Sequence, residues 1–120
     1  MDDEPEILKI TEQNLERNGY RTLVAGDGVE ALVLFTRRQE EISAVLTDLE
    51  MPLMDGITLV RAIRKLDPQI QVIASSGIGS SQGSQEKLDQ LKELGVHAFL
   101  AKPYGVDTLL HALQEVFRKP

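Results

Sequence analysis

Five residues of this sequence combine types and placing that would do chemistry: Asp48, Lys102, Ser76 and the adjacent pair Asp2 and Asp3. Ala44-Val45-Leu46 leads to Asp48, a second apolar run ends in Ser75-Ser76-Gly77, a third ends in Lys102-Pro103, and Asp2-Asp3-Glu4-Pro5 stands at the head of the chain. Three carboxylates, a hydroxyl and an ammonium are the complement that a phosphorylated carboxylate with Mg²⁺ needs. Mg²⁺ takes hard oxygen ligands and keeps several waters, so a small carboxylate cluster suffices for a weak site. In that chemistry Asp48 is the nucleophile and forms an acyl phosphate, Lys102 places a second positive charge beside the phosphoryl oxygens, and Ser76 donates a hydrogen bond. Singly, each residue has an ordinary role as turn former, helix N-cap, solvated charge or surface lysine. Their joint occurrence at the ends of apolar runs carries the chemical reading.

These residues need elements that bring them to one rim. Ile7, Leu8, Ile10, Thr11 and Leu15 recur at helical spacing, with Pro5 suited to a first turn and Asn18-Gly19 to a stop. Tyr20 to Ala25 alternates and is β-rich, which predicts a strand. Asp27 is a plausible N-cap for a second helix through Val29, Ala31, Leu32, Leu34 and Phe35. After the Ala44–Asp48 strand, Pro52 and Gly56 mark a loop, and Ile57, Leu59, Val60, Ile63 and Leu66 give a third helix closed by Asp67-Pro68. Ile70–Ala74 and Val96–Ala101 read as further strands, Leu88, Leu91 and Leu94 as a helix capped by Gly95, and Val106–Phe117 as the last helix. The glycine- and serine-rich stretch 77–84 reads as a loop beside the site. Alternating helices and strands predict an α/β protein, a doubly wound parallel sheet with helices on both faces. All strand carboxyl ends then point one way, so Asp48, Ser76 and Lys102 converge, joined by Asp2 and Asp3 if a strand precedes them.

At 120 residues the chain fits one domain with a real core. Hydrophobic residues at 42% and charged residues at 27% exclude a disordered tail. The net charge of −6, without a basic cluster, argues against nucleic-acid binding. The absence of Cys removes disulfides, thiolate metal sites and thiol catalysis. No apolar stretch approaches the ~20 residues of a membrane span and the head of the chain is acidic, so a cytoplasmic location is expected.

With these residues in place, the chain resembles the receiver domain of two-component response regulators over almost its whole length. The resemblance is carried by Asp-Asp-Glu-Pro at 2–5, Asp-x-x-Met-Pro-x-Met-Asp-Gly at 48–56, Ser-Gly at 76–77 and Lys-Pro-Tyr at 102–104. It implies a flavodoxin-like doubly wound sheet and a phosphoacceptor aspartate served by a histidine kinase or a histidine phosphotransfer protein. By motif match Asp48 is the phosphoacceptor, and Asp2, Asp3 and Asp48 with the backbone carbonyl of Glu50 are the Mg²⁺ contacts. Ser76 matches the switch hydroxyl, Phe99 the switch aromatic and Lys102 the phosphate-binding lysine.

The family begins with an apolar strand ending at the acidic pair, whereas only Met1 precedes Asp2 here. Residues 1–120 are therefore expected to form a single receiver domain lacking its first, central strand. A gap left between the Leu23-Val24 and Val45-Leu46 strands would have to be closed by their direct pairing, by the N-terminal segment, or by exchange with a second copy. Exchange in a homodimer or larger strand-exchanged assembly is the expectation, because exposed strand edges invite it.

The function expected is a phosphoacceptor signalling module, like the receivers of hybrid sensor kinases or of stand-alone regulators, and not a separate enzyme. Two other readings compete. A Mg²⁺-dependent phosphatase of the aspartyl-nucleophile type would want a second acid/base Asp two residues after Asp48, where this chain has Glu50. A degenerate receiver would act only through protein contacts.

Overall fold

Ala44-Val45-Leu46-Thr47-Asp48 forms β1, and its neighbours show why so short a run folds as a strand. Val45 and Thr47 point to one side and Leu46 to the other, each into apolar cover, which is the pattern of a parallel strand buried on both faces. The computed structural model describes residues 5–49, 54, 56–77, 84–96, 98–102 and 104–118. In chain order these form α1 (Pro5–Arg17), α2 (Gly28–Arg37), a short 3₁₀ turn at Gln39–Glu41, β1, α3 (Gly56–Leu66), β2 (Gln71–Gly77), α4 (Ser84–Glu93), β3 (Ala98–Lys102) and α5 (Val106–Arg118). The predicted loop at 77–84 lies mostly outside the described residues.

The three strands are parallel in the order β1-β2-β3. Val45 pairs with Val72, Asp48 with Ser75, Ser75 with Leu100 and Gly77 with Lys102. The sheet divides the core in two. On one face Val45, Val72 and Ala74 meet Ala31 and Phe35 of α2, Leu59, Val60 and Ile63 of α3, and Leu91 of α4. On the other, Ile73 and Leu100 meet Leu109, Leu113 and Val116 of α5, with Leu15 and Tyr20 of the α1 region packed beside them. This is the doubly wound α/β arrangement expected from the alternation of elements.

Local signals behave as their chemistry predicts. The Asp27 carboxylate accepts from the Glu30 N–H at 2.8 Å and so caps α2. Gly19 and Gly95 end α1 and α4 with φ of +90° and +84°, where a side chain would be strained. β2 runs three residues beyond the predicted Ala74, carrying Ser75 and Ser76 into the ladder.

One prediction is corrected. Residues 20–25 do not form a strand, although their alternation is as good as that of β1. A strand needs a ladder, and among the described residues no other strand lies alongside them; β1 pairs only with β2. Direct pairing of the 20–25 segment with β1, one of the three expected ways of closing the sheet, therefore does not occur. Between them lies a cavity of about 480 Å³, bordered by Val24 and Ala25 on one side and Val45 and Leu46 on the other.

Candidate functional site

β1 ends at a buried acid. Asp48 is 5% exposed, flanked by the fully buried Thr47 and by Leu49 at 4%. A carboxylate taken this far from water needs a partner, and Lys102 at the end of β3 supplies one: its Nζ donates to Asp48 Oδ2 at 2.7 Å. The register explains the meeting. Asp48, Ser75 and Leu100 form one row across the sheet, and Lys102 lies two residues beyond Leu100, so its stem reaches back across the strand ends. The lysine side chain keeps 18% of its exposure, which leaves the pair open to solvent on one side.

The backbone around Asp48 is held from several directions. Leu49 N–H donates to Ser75 O at 2.8 Å, extending the β1–β2 ladder past its formal end. The Thr47 hydroxyl donates to Asp48 O at 3.0 Å, and the Ser75 hydroxyl makes a long contact of 3.5 Å to Thr47 O. Gly56 N–H donates to Leu49 O at 3.0 Å, so the chain returns to the end of β1 as α3 begins. A Cβ on Gly56 would lie 2.5 Å from Asp48 O and 2.8 Å from Leu49 Cα, and only glycine permits that approach. Gly28 at the start of α2 is constrained in the same way, since a Cβ there would stand 2.6 Å from Met54 Cβ.

Asp48 and Lys102 are thus brought together as expected. Ser76 lies in β2 opposite Ala101, one row from the pair, and its side chain lies outside the described residues. Phe99 in β3 is half-buried against the α2–α3–α4 side of the core. Asp2, Asp3 and Glu50 lie outside the described residues, and among the described residues no group of three or more acidic, His or Cys side chains could hold a metal. Sequence reasoning missed Thr47, Gly28 and Arg64. The Arg64 guanidinium, its pKa lowered by burial, ties α3 to the turn entering β3 by donating to Leu94 O at 2.6 Å and Gly95 O at 3.4 Å, and to the turn entering β2 by donating to Pro68 O at 3.3 Å and to Ile70 O. The signal available was weak, an arginine on the apolar side of a helix.

The family model of the response regulator receiver domain matches residues 1–114. The chain belongs to that family. This receiver is 30% identical to the sporulation initiation phosphotransferase F of Bacillus subtilis over 115 residues, covering 96% of this chain and 88% of that protein. It is 33% identical to the transcriptional regulatory protein GlrR of Escherichia coli and 31% identical to the sensor kinase CckA of Brucella abortus, covering 99% of this chain in each case but only 26% and 12% of those longer proteins. Among solved structures, the response regulator receiver domain protein of Clostridium thermocellum superposes with a TM-score of 0.88 at 32% identity, over 98% of this chain and 90% of that one. The fold is accordingly the receiver fold, and the family places the chain in two-component signalling. Among the described residues no helix is long and apolar enough to cross a membrane.

Proposed function

We propose that this receiver accepts a phosphoryl group on Asp48 from a phosphohistidine of a histidine kinase or histidine phosphotransfer protein, and passes the signal on through a changed protein surface. The observation that carries the reading is the buried Asp48 carboxylate held 2.7 Å from the Lys102 ammonium at the carboxyl edge of a parallel sheet. A carboxylate oxygen of Asp48 attacks phosphorus as the bond to the histidine nitrogen breaks; the electron pair stays on that nitrogen, the imidazole, protonated on its other ring nitrogen, leaves neutral, and Asp48 becomes a mixed anhydride. Lys102, already beside the nucleophile, stays within reach of the phosphoryl oxygens and offsets their charge.

The proposed cation donors are all oxygen, namely the carboxylates of Asp2, Asp3 and Asp48 and the Glu50 carbonyl, which suits Mg²⁺. Asp48 is the described member, a buried carboxylate at the end of β1, and an all-oxygen donor set is the chemistry that fits the ion. When bound, the ion supplies charge neutralisation at the phosphoryl oxygens. Ser76, in the next row of β2, would hydrogen bond to the phosphoryl group, and Phe99 would turn into the space it vacates. The relatives that are sensor kinases and regulators support a partner of the histidine kinase class and a cytoplasmic setting. Incubation with acetyl phosphate and Mg²⁺ followed by intact-mass measurement tests the proposal. A gain of one phosphoryl group, lost in Asp48→Asn, is expected; an undiminished gain in that variant overturns it.

A further inference from the structure

Asp48, Ser75 and Leu100 stand in one row of the sheet, so their side chains share a face. That face is the one toward α5. Leu46, Ile73 and Leu100 all pack there, and Asp48 and Ser75 follow Leu46 and Ile73 by two residues. Lys102, two residues past Leu100, is on the same side and reaches across β2 to Asp48 Oδ2 at 2.7 Å. Ser75 therefore stands on the strand between the acid and its lysine, and it is only 2% exposed. Its hydroxyl has a poor acceptor. It donates to Thr47 O at 3.5 Å, the outer limit of a hydrogen bond, whereas buried hydroxyls ordinarily make a shorter one.

If Asp48 is phosphorylated as proposed, on which this inference rests, the acid comes to need a second donor. One carboxylate oxygen then carries the phosphoryl group, and Lys102 serves the phosphoryl oxygens. The other becomes the carbonyl oxygen of the acyl phosphate, in a site where the acid is 5% exposed. Its row offers one hydroxyl. Leu100 is apolar, and Thr47 follows Val45 by two residues onto the opposite face, where its hydroxyl already donates to the Asp48 backbone carbonyl at 3.0 Å. Ser75 gives up only a 3.5 Å contact by turning about χ1. We infer that the Ser75 hydroxyl donates to the carbonyl oxygen of the Asp48 acyl phosphate and shortens its lifetime. In hydrolysis a water oxygen bonds to phosphorus and the bond from phosphorus to the Asp48 oxygen breaks, its electron pair staying on the carboxylate. Both water protons leave on dihydrogen phosphate. Negative charge spreads over both carboxylate oxygens as that bond breaks, so the Ser75 hydrogen bond is stronger in the transition state than in the acyl phosphate and lowers the barrier. Adjacent serines thus serve different oxygens, Ser76 the phosphoryl group and Ser75 the leaving carboxylate.

The test labels the 120-residue protein and its Ser75→Ala variant with acetyl phosphate and Mg²⁺, desalts both, and follows loss of the phosphoryl group by intact mass. Both proteins should label, and the half-life of the acyl phosphate should be about three- to tenfold longer in the variant. Ser75→Thr, which restores a hydroxyl, should bring it back toward the parent value. A second readout is the acyl phosphate C=O stretch, isolated by difference infrared with isotope-labelled aspartate. It should move to higher wavenumber in Ser75→Ala as the carbonyl loses its donor, a shift that a packing role for Ser75 would not produce. Should Ser75→Ala fail to fold, Ser75→Cys, close in volume and a weaker donor, carries the same two readouts. An equal or shorter half-life, or an unmoved carbonyl stretch, overturns the inference, while labelling at Asp48 leaves the proposed function standing. No labelling of the parent protein, or labelling kept in Asp48→Asn, overturns both.

Discussion

β1 has two edges in contrasting surroundings. On the β2 side five residue pairs lock it into register, and the ladder continues through Leu49 to Ser75. On the other side it borders a cavity, with the 20–25 segment across the gap. The completed side carries the candidate chemistry: Asp48 is fixed by its ladder, by Gly56 at its back and by Lys102 from two strands away. The cavity side carries a mixed lining, apolar at Leu34, Phe35 and Val45 and polar at Thr11, Thr22 and Ser43, with charges from Glu12, Arg21, Arg38 and Glu41. The β1–β3 half alone thus holds the Asp48–Lys102 pair in place.

Substitutions should show this asymmetry, and the largest effect is expected at Lys102. Lys102→Ala removes the ammonium from a nearly buried carboxylate. Breaking such a pair should cost up to about 3 kcal/mol, read as a lower denaturation midpoint, together with a large fall in acetyl phosphate labelling. Gly56→Ala should come next. Its Cβ would press on the Asp48 carbonyl and Leu49 Cα, so a loss of about 2–3 kcal/mol and slower labelling are expected. Equal stability of that variant would mean that the end of β1 is looser than the contact implies.

Arg64→Met sharpens the comparison from a distance, because it touches neither Asp48 nor the cavity. Leaving the carbonyls of Leu94 and Ile70 without their donor should cost about 1–3 kcal/mol in equilibrium unfolding. The smallest effect belongs to the open rim. The Arg38 Nε meets Glu41 Oε2 at 2.5 Å and, by hydrogen bond first and charge second, holds the Glu41 carboxyl below its ordinary value. A carboxyl depressed in the folded state stabilises above its unfolded pKa and loses that contribution as pH falls through the folded value. Both groups are exposed and screened, so Arg38→Ala should return the Glu41 titration to the ordinary carboxylate range by NMR while leaving the neutral-pH midpoint within measurement error.

The same contrast explains what could be read from the sequence. Ala44–Asp48 and Tyr20–Ala25 carry comparable β signals, yet only the first is a strand, because strand formation depends on a partner that local sequence does not contain. Helices were legible from apolar periodicity and caps, which are local: Asp27, Gly19 and Gly95 all sit where expected. Asp48 and Lys102 were legible because each ends an apolar run in a parallel sheet, and that topology alone brings them together. Thr47, Gly28 and Arg64 were not, since their roles arise from contacts to Asp48 O, Met54 and the Leu94 carbonyl that sequence spacing does not encode.

The central claim, that the completed edge of β1 presents Asp48 as the phosphoacceptor, is tested most directly by trapping the acyl phosphate. After treatment with acetyl phosphate and Mg²⁺, borohydride reduces an aspartyl phosphate to homoserine, and fragmentation of the tryptic peptide between Arg38 and Arg61 locates it. Homoserine at position 48, appearing only after phosphorylation, is the expected result; homoserine at Asp55, or at another carboxylate with position 48 unchanged, would contradict the account.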